Sequence, residues 1–342
     1  MTITRAPHTG LAATLALALG ACAGEAVEAP LPALGVADDA VTISGVSAGG
    51  YMAVQYQVAY SASVSGAAIL AGGPWYCARG DLGAALAACM KGPRAEIPAE
   101  ALSAAARGAA ERNEIDPVEN LAADRIWIFH GRLDAIMDRG VTEALVDFYA
   151  AFVSEGSIEL VDDVPAAHLF PTVGQGGRCD APESPHMGAC GYDAAGELLK
   201  TLYGELTQPA ADAATGELQT FDQRPFRDAS GSTGLADTGL LFVPDACRGG
   251  GTRCRLHVAL HGCQQGAEFV ADAFASSAGY NPWAQANDLV VLYPQIRSTL
   301  SPLNPNGCWD WWGYEGPDYA LRSGAQVAAL RAMIEQLQSR PR

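Results

Sequence analysis

The sequence predicts an α/β protein, a mostly parallel sheet with helices on both faces, and three observations predict it. Short apolar runs alternate with longer segments of helical period along most of the 342 residues, the pattern that makes crossovers rather than hairpins. A Gly-x-Ser-x-Gly sequence, Gly45-Val46-Ser47-Ala48-Gly49, stands where such a run gives way to a helical segment. No repeat, second composition or Pro/Gly/Ser linker divides the roughly 300 residues after residue 38, so 39–342 is expected to be one domain.

The elements follow from periodicity. A short β-branched run predicts a strand over 40–46, and the small and apolar residues behind it a helix over 48–60. Residues 64–70 read as the next strand, and the Ala-rich stretch 99–112 as a helix. The apolar run 125–129 is a strand, 141–154 an amphipathic helix, 158–161 a strand and 194–203 a helix. Three strands, 216–221, 239–243 and 255–260, lead to a helix over 267–278. A strand over 289–293 and a long helix over 319–338, free of Gly and Pro after Gly324, complete the chain.

The start reads as an export signal over 1–21. Arg5 supplies a positive n-region, and 11–19 is apolar but too short to span a bilayer. It runs into Leu19-Gly20-Ala21-Cys22, which looks like a bacterial lipobox, so Cys22 is expected to carry lipid. Residues 22–38, rich in Glu, Ala and Pro, read as a tether. The expected location is the cell envelope (outer membrane or cell surface), lipid-anchored, or the medium if Cys22 is incidental. No other apolar run is long enough to span a membrane.

Removing Arg5 leaves 20 of the 21 basic side chains against 38 acids, a net charge of −18. That argues against nucleic acid and against adsorption to anionic lipid as partners. Nine cysteines less Cys22 leave eight, an even number that implies disulfides in an exported chain. The local pairs are Cys77–Cys89, Cys179–Cys190 and Cys247–Cys254, which leaves Cys263–Cys308; eight cysteines permit 105 connectivities. No Cys-x-x-Cys or Cys/His cluster suggests a metal.

Chemistry enters at Ser47. A serine between glycines, after a strand and before a helix, fits a nucleophile elbow. The near match around Ser277 has no strand before it. The hydroxyl needs a base, and five histidines remain after residue 21. His257 lies inside a strand, His261 in a His-Gly turn, His186 within the Cys179–Cys190 loop, and His130 at a strand end. His168 follows the strand ending at Val161 and is the expected base. The third member should follow a strand between the two. Asp134 does, with Asp138 as its rival. The order Ser47, Asp134, His168 is that of α/β-hydrolases.

An oxyanion hole takes one N–H from the residue after the nucleophile, Ala48, and one from a loop after an earlier strand. Nothing of that kind precedes Ser47. Downstream, Leu260-His261-Gly262-Cys263 ends a strand and leads into a helix. The conflict resolves if the α/β-hydrolase fold is circularly permuted. Read from residue 216, joined at 338 to residue 40, the chain gives eight strands in hydrolase order.

Gly-Val-Ser-Ala-Gly-Gly-Tyr-Met (45–52), Ala-Gly-Gly-Pro-Trp-Tyr-Cys (71–77), Leu-His-Gly-Cys-Gln-Gln (260–265) and Asn-Gly-Cys-Trp-Asp-Trp-Trp (306–312) together resemble the poly(3-hydroxybutyrate) depolymerases. The order resembles their circularly permuted, single-domain type. The resemblance implies Ser47, Asp134 and His168 as a triad, Ala48 and Cys263 amides as oxyanion hole, and a Cys263–Cys308 disulfide. It implies a serine esterase acting on a polyester or oligoester through an acyl-enzyme, with no cofactor. A monomer is expected, touching membrane only through the lipid on Cys22, an anchor in which the chain departs from the family. Trp309, Trp311 and Trp312 are expected along the substrate cleft, Trp309 foremost, though core packing suits at least one of the three; Trp75 and Tyr76 rank behind them. Feruloyl or acetylxylan esterases and oxidised polyvinyl alcohol hydrolases are the rival readings.

Overall fold

A computed structural model describes residues 1–2, 28–39, 41–210, 216–227, 233–249 and 253–341. Cys22, nearly all of the expected signal and the proposed strand start at Ala40 lie outside them. Among the described residues no helix is long and apolar enough to cross a membrane.

Four parallel strands come first: β1 (Val41–Val46), β2 (Gly66–Leu70), β3 (Arg125–Phe129) and β4 (Ile158–Val161). Three short strands follow, β5 (Phe170–Thr172), β6 (Gly177–Arg178) and β7 (Met187–Ala189), in a small separate sheet. Then come β8 (Glu217–Asp222), β9 (Thr238–Val243), β10 (Arg255–Leu260) and β11 (Leu289–Tyr293). The main sheet runs β4-β3-β2-β1-β10-β11-β9-β8, and β9 alone is antiparallel to its neighbours. Ranked from β8 onward, the strands stand in the order 1-2-4-3-5-6-7-8. This is the permuted α/β-hydrolase fold that the sequence predicts.

Side chains alternate across the sheet, as strand geometry requires. Ile126 and Ile128 of β3 face one core, Trp127 and Phe129 the other. The first core is closed by helices α1 (Ala48–Ala59), α3 (Ala99–Glu111), α4 (Arg139–Ala150) and α9 (Ala325–Gln338); the second by α5 (Ala194–Tyr203) and α8 (Tyr280–Ala286). Helix α1 is buried on every side, which explains its lack of a charged face.

The join that permutation demands is visible. The N–H groups of Leu34 and Val36 both donate to Leu337 O at 3.2 Å, and Ala37 N donates to Cys254 O at 2.8 Å, before β1 begins. Leu31, Val36 and Ala37 are buried. The tether expected over 22–38 is therefore corrected: its last residues belong to the domain, because they cover the end of α9.

Three helix expectations also change. Helix α9 begins at Ala325, not 319, because 319–324 fold into turns, with Arg322 drawn away to Asp116 and Asn113. The helix expected over 267–278 is two pieces, α6 (Ala267–Val270) and α7 (Ala273–Ser277), broken at Ala271, where φ is +52°. Helices α2 (Leu82–Lys91) and α8 were not foreseen. Asp81 caps α2 by accepting from Ala84 N.

Beneath the sheet's centre lies a polar chain, buried except at its Tyr203 end. Tyr280 Oη and Ser44 Oγ are 2.8 Å apart, Ser44 Oγ and His257 Nε2 2.7 Å, His257 Nδ1 and Thr42 Oγ1 2.7 Å. Thr42 then donates to Tyr203 Oη, which donates to Leu256 O. Since Thr42 spends its proton on Tyr203, His257 must donate from Nδ1 and accept at Nε2, a neutral imidazole with every site paired. Burial pushes its pKa down to about 3. Between that value and about 6.5 only the unfolded chain takes the proton. The stability this residue contributes is thus intact above about pH 6.5 and falls away as pH drops toward 3. Chemical unfolding at pH 7.5 and 4.5 should show wild type losing roughly 2–3 kcal/mol more than His257→Gln over that interval.

Candidate active site

Ser47 occupies the sharp turn between β1 and α1, with φ +57° and ψ −120°. The turn is possible because its flanks are glycines. A Cβ on Gly45 would lie 2.1 Å from Gly49 O, and one on Gly49 would lie 2.5 Å from the carbonyl oxygens of Leu260 and His261. The second contact shows how closely the elbow approaches the end of β10. Strand register brings them there, since Gly45 pairs with Leu260 across β1 and β10.

His168 Nε2 lies 2.9 Å from Ser47 Oγ, and His168 Nδ1 lies 2.7 Å from Asp134 Oδ2. The loops carrying them are laced together: Arg132 N donates to Val164 O and Leu133 N to Ala166 O. Asp134 Oδ1 accepts from the N–H groups of Ile136 and Met137, both at 2.8 Å. Burial pushes the Asp134 carboxyl up, but its bonds to His168 and to those two amides outweigh that and hold it below the ordinary carboxylate value. An ionised Asp134 accepts from Nδ1–H, which leaves the Nε2 lone pair facing the serine. Asp138, the rival, caps α4 by accepting from Gly140 N at 2.8 Å. His130 is buried against Thr142.

Beside Ser47, the turn after β10 is pinned from behind. Ile296 N donates to His261 Nε2, so His261 Nδ1–H donates to Gly262 O; burial lowers this imidazole to about 4. Gly262 N donates to Gln265 Oε1 and Gln264 N to Asn306 O. Among the described residues, no acceptor takes the N–H of Ala48 or of Cys263.

Ser47, His168 and Cys263 line a cleft of about 360 Å³. Its walls are apolar: Leu82, Leu86 and Met90 from α2, Ile136, Leu303 and Trp311 with Trp312. Trp311 stacks on Tyr51 at 4.7 Å, and Trp312 meets Trp311 edge to face. The buried carboxylate of Asp310 accepts from the N–H groups of Gly313, Tyr314 and Glu315 and so shapes the turn that presents both rings. The disulfide Cys263–Cys308 ties this segment to the turn after β10; the other pairs are Cys77–Cys89, Cys179–Cys190 and Cys247–Cys254.

Three expected contacts are corrected. Trp309 is wholly buried beside His261 and does not line the cleft. Trp75 is buried, its Nε1 donating to Ala320 O. Tyr76 stacks on Tyr319 outside the cleft. The α2 wall was missed, although Leu82, Leu86 and Met90 at four-residue spacing carry the signal of an apolar helical stripe.

A serine on an elbow, with histidine and a buried aspartate behind it on this sheet, defines a serine hydrolase of the α/β-hydrolase class. No protein-family model matches the chain. It is 40% identical over 333 residues to a poly(3-hydroxybutyrate) depolymerase of Delftia acidovorans, matching 96% of this chain and 66% of that one, so it spans slightly under two thirds of that relative. It is 34% identical over 336 residues to a polyhydroxybutyrate depolymerase of Talaromyces funiculosus, covering 94% and 96%. Among solved structures, a serine-to-alanine variant of a PHB depolymerase complexed with an R3HB trimer superposes with TM-score 0.84 at 34% identity, over 90% of this chain and 98% of that one. The PHB depolymerase from Penicillium funiculosum gives 0.83 with the same identity and coverage. The chain belongs to the poly(3-hydroxybutyrate) depolymerase family.

Proposed function

We propose that this protein hydrolyses the ester bonds of poly(3-hydroxybutyrate) or its oligomers through an acyl-enzyme. The observation that carries the reading is the unbroken relay Ser47–His168–Asp134 opening into an apolar cleft. Ser47 Oγ attacks the ester carbonyl as its proton passes to His168 Nε2. The N–H groups of Ala48 and Cys263, which meet no acceptor among the described residues, hold the oxyanion; one such donor contributes about a hundred- to a thousandfold to turnover. The C–O bond to the alcohol end breaks and His168 protonates that oxygen. Water then attacks the acyl-serine, its proton going to His168 and on to Ser47 Oγ, and the acid end leaves. Trp311 and Trp312 offer flat apolar faces to the chain.

The test sets amorphous polymer, its soluble oligomers, aryl esters and acetylated or feruloylated xylan side by side and identifies products. Release of 3-hydroxybutyrate or its short oligomers is expected. Ferulate or acetate from xylan with no 3-hydroxybutyrate would overturn the reading. We also infer export, supported by four disulfides, which persist in oxidising compartments. Acylation of Cys22 and a monomeric state complete the proposal; the mass of the mature N-terminal peptide reads the first.

A further inference from the structure

The turn after β10 and the loop that carries His168 come from distant parts of the chain, and one side chain ties them together. Gln265 is buried, 1% exposed. Its Oε1 accepts from Gly262 N at 2.9 Å, and its Nε2 donates to His186 O at 2.8 Å and to Pro185 O at 3.3 Å. These neighbours dictate how the amide is turned, since an N–H can meet only its oxygen and the two carbonyls only its NH₂. Among the described residues no other side chain of the turn over 261–265 hydrogen-bonds the segment 163–191.

Each end of the tie reaches a catalytic part. His186 O also accepts from Phe170 N at 2.9 Å, and Phe170 follows His168 by two residues. At the other end the amides of the turn are nearly all spent: Gly262 N on Gln265 Oε1, Gln264 N on Asn306 O and Gln265 N on Gly262 O. Cys263 N alone of these four meets no acceptor among the described residues, so the bond from Gly262 to Gln265 leaves it as the donor this turn has to offer. Both ends also hold a residue in the left-handed region, Gln264 and His186, each at φ +57°. Residues with side chains pay energy there, and such outliers gather at functional sites. The oxyanion donor and the base act on one tetrahedral carbon, so an error of about 1 Å between them costs about a hundredfold in rate.

Resting on the serine relay proposed above, we infer that Gln265 is a positioning residue for ester hydrolysis, its carboxamide setting the distance between the Cys263 N–H and the loop that carries His168. It acts through Gly262 and His186 rather than on the substrate, because both ends of its amide are occupied. The transition state draws on the oxyanion donor and the base at once, whereas the bound ester has not yet developed the charge that needs them. Loss of the tie therefore falls on kcat rather than on KM.

The test compares Gln265→Met and Gln265→Glu with wild type on p-nitrophenyl acetate. Active enzyme is counted by fluorophosphonate titration of Ser47, so misfolded protein does not enter. Methionine keeps the length and removes both hydrogen-bonding ends. Its kcat per titrated site should fall about ten- to a hundredfold with KM within about threefold, and its affinity for a boronic acid, which forms a tetrahedral adduct on Ser47, should fall by a similar factor. Glutamate supplies a pH profile. Ionised, it still accepts from Gly262 N but sets an oxygen against the two carbonyls; protonated, it offers an oxygen and an O–H where glutamine offers an oxygen and NH₂. Its kcat relative to wild type should therefore rise about five- to tenfold as pH falls from about 9 to about 5.5. A purely structural role lowers the unfolding midpoint and leaves both readouts flat. Wild-type kcat per site in Gln265→Met, or a glutamate-to-wild-type ratio independent of pH, would overturn the inference. If the probe leaves wild-type Ser47 unlabelled, the relay fails and this inference with it; a labelled wild type beside unaffected Gln265 variants sinks the inference alone.

Discussion

Ser47→Ala lowers kcat on a chromogenic short-chain ester by about 10⁵- to 10⁶-fold, the scale seen when a hydrolase loses its nucleophile. The geometry sets that size. With Oγ gone, His168 Nε2 has no serine proton to take, and the acyl-enzyme route closes entirely. What survives is the apolar cleft and the two free amides, enough for roughly 10³-fold over water. KM should change little, because the ring and leucine walls are untouched. Adding His168→Ala to Ser47→Ala should cost almost nothing further, since the two act as one unit across a 2.9 Å bond. Steady-state kinetics of wild type and the two variants check this. A Ser47→Ala enzyme within tenfold of wild type would remove the serine from the mechanism.

The permuted fold was legible because its parts obey local rules. The elbow admits only small residues beside Ser47, since the Gly45 and Gly49 positions have no room for a Cβ. The missing oxyanion loop before Ser47 and the strand-turn around His261 forced one topology. What the sequence hid depends on contacts between distant segments. Trp309, Trp311 and Trp312 are equivalent as letters, and only the turn wrapped on the Asp310 carboxylate decides which rings face the cleft. Ala271 turns to positive φ with no glycine to announce it. Residues 31–37 look like linker until the end of α9 is laid beside them.

Asp134→Asn should lower kcat/KM by about 10⁴-fold, the effect of a wrong imidazole tautomer. Here the orientation of the new carboxamide is dictated by its surroundings. The Oδ1 site receives two N–H donors, from Ile136 and Met137, so the amide oxygen must stay there. Its NH₂ then points at His168 Nδ1 and can only donate. That forces Nδ1 to accept and places the ring proton on Nε2, where it faces Ser47 and cannot take the serine's proton. Asp138→Asn provides the contrast. Asparagine caps a helix as well as aspartate does, so both activity within a few fold and stability within about 0.5 kcal/mol of wild type are expected. Measuring kcat/KM and the unfolding midpoint for both variants separates the two carboxylates four residues apart. A large loss at Asp138 with Asp134→Asn near wild type would assign the acid to the wrong turn, and with it the whole relay behind Ser47.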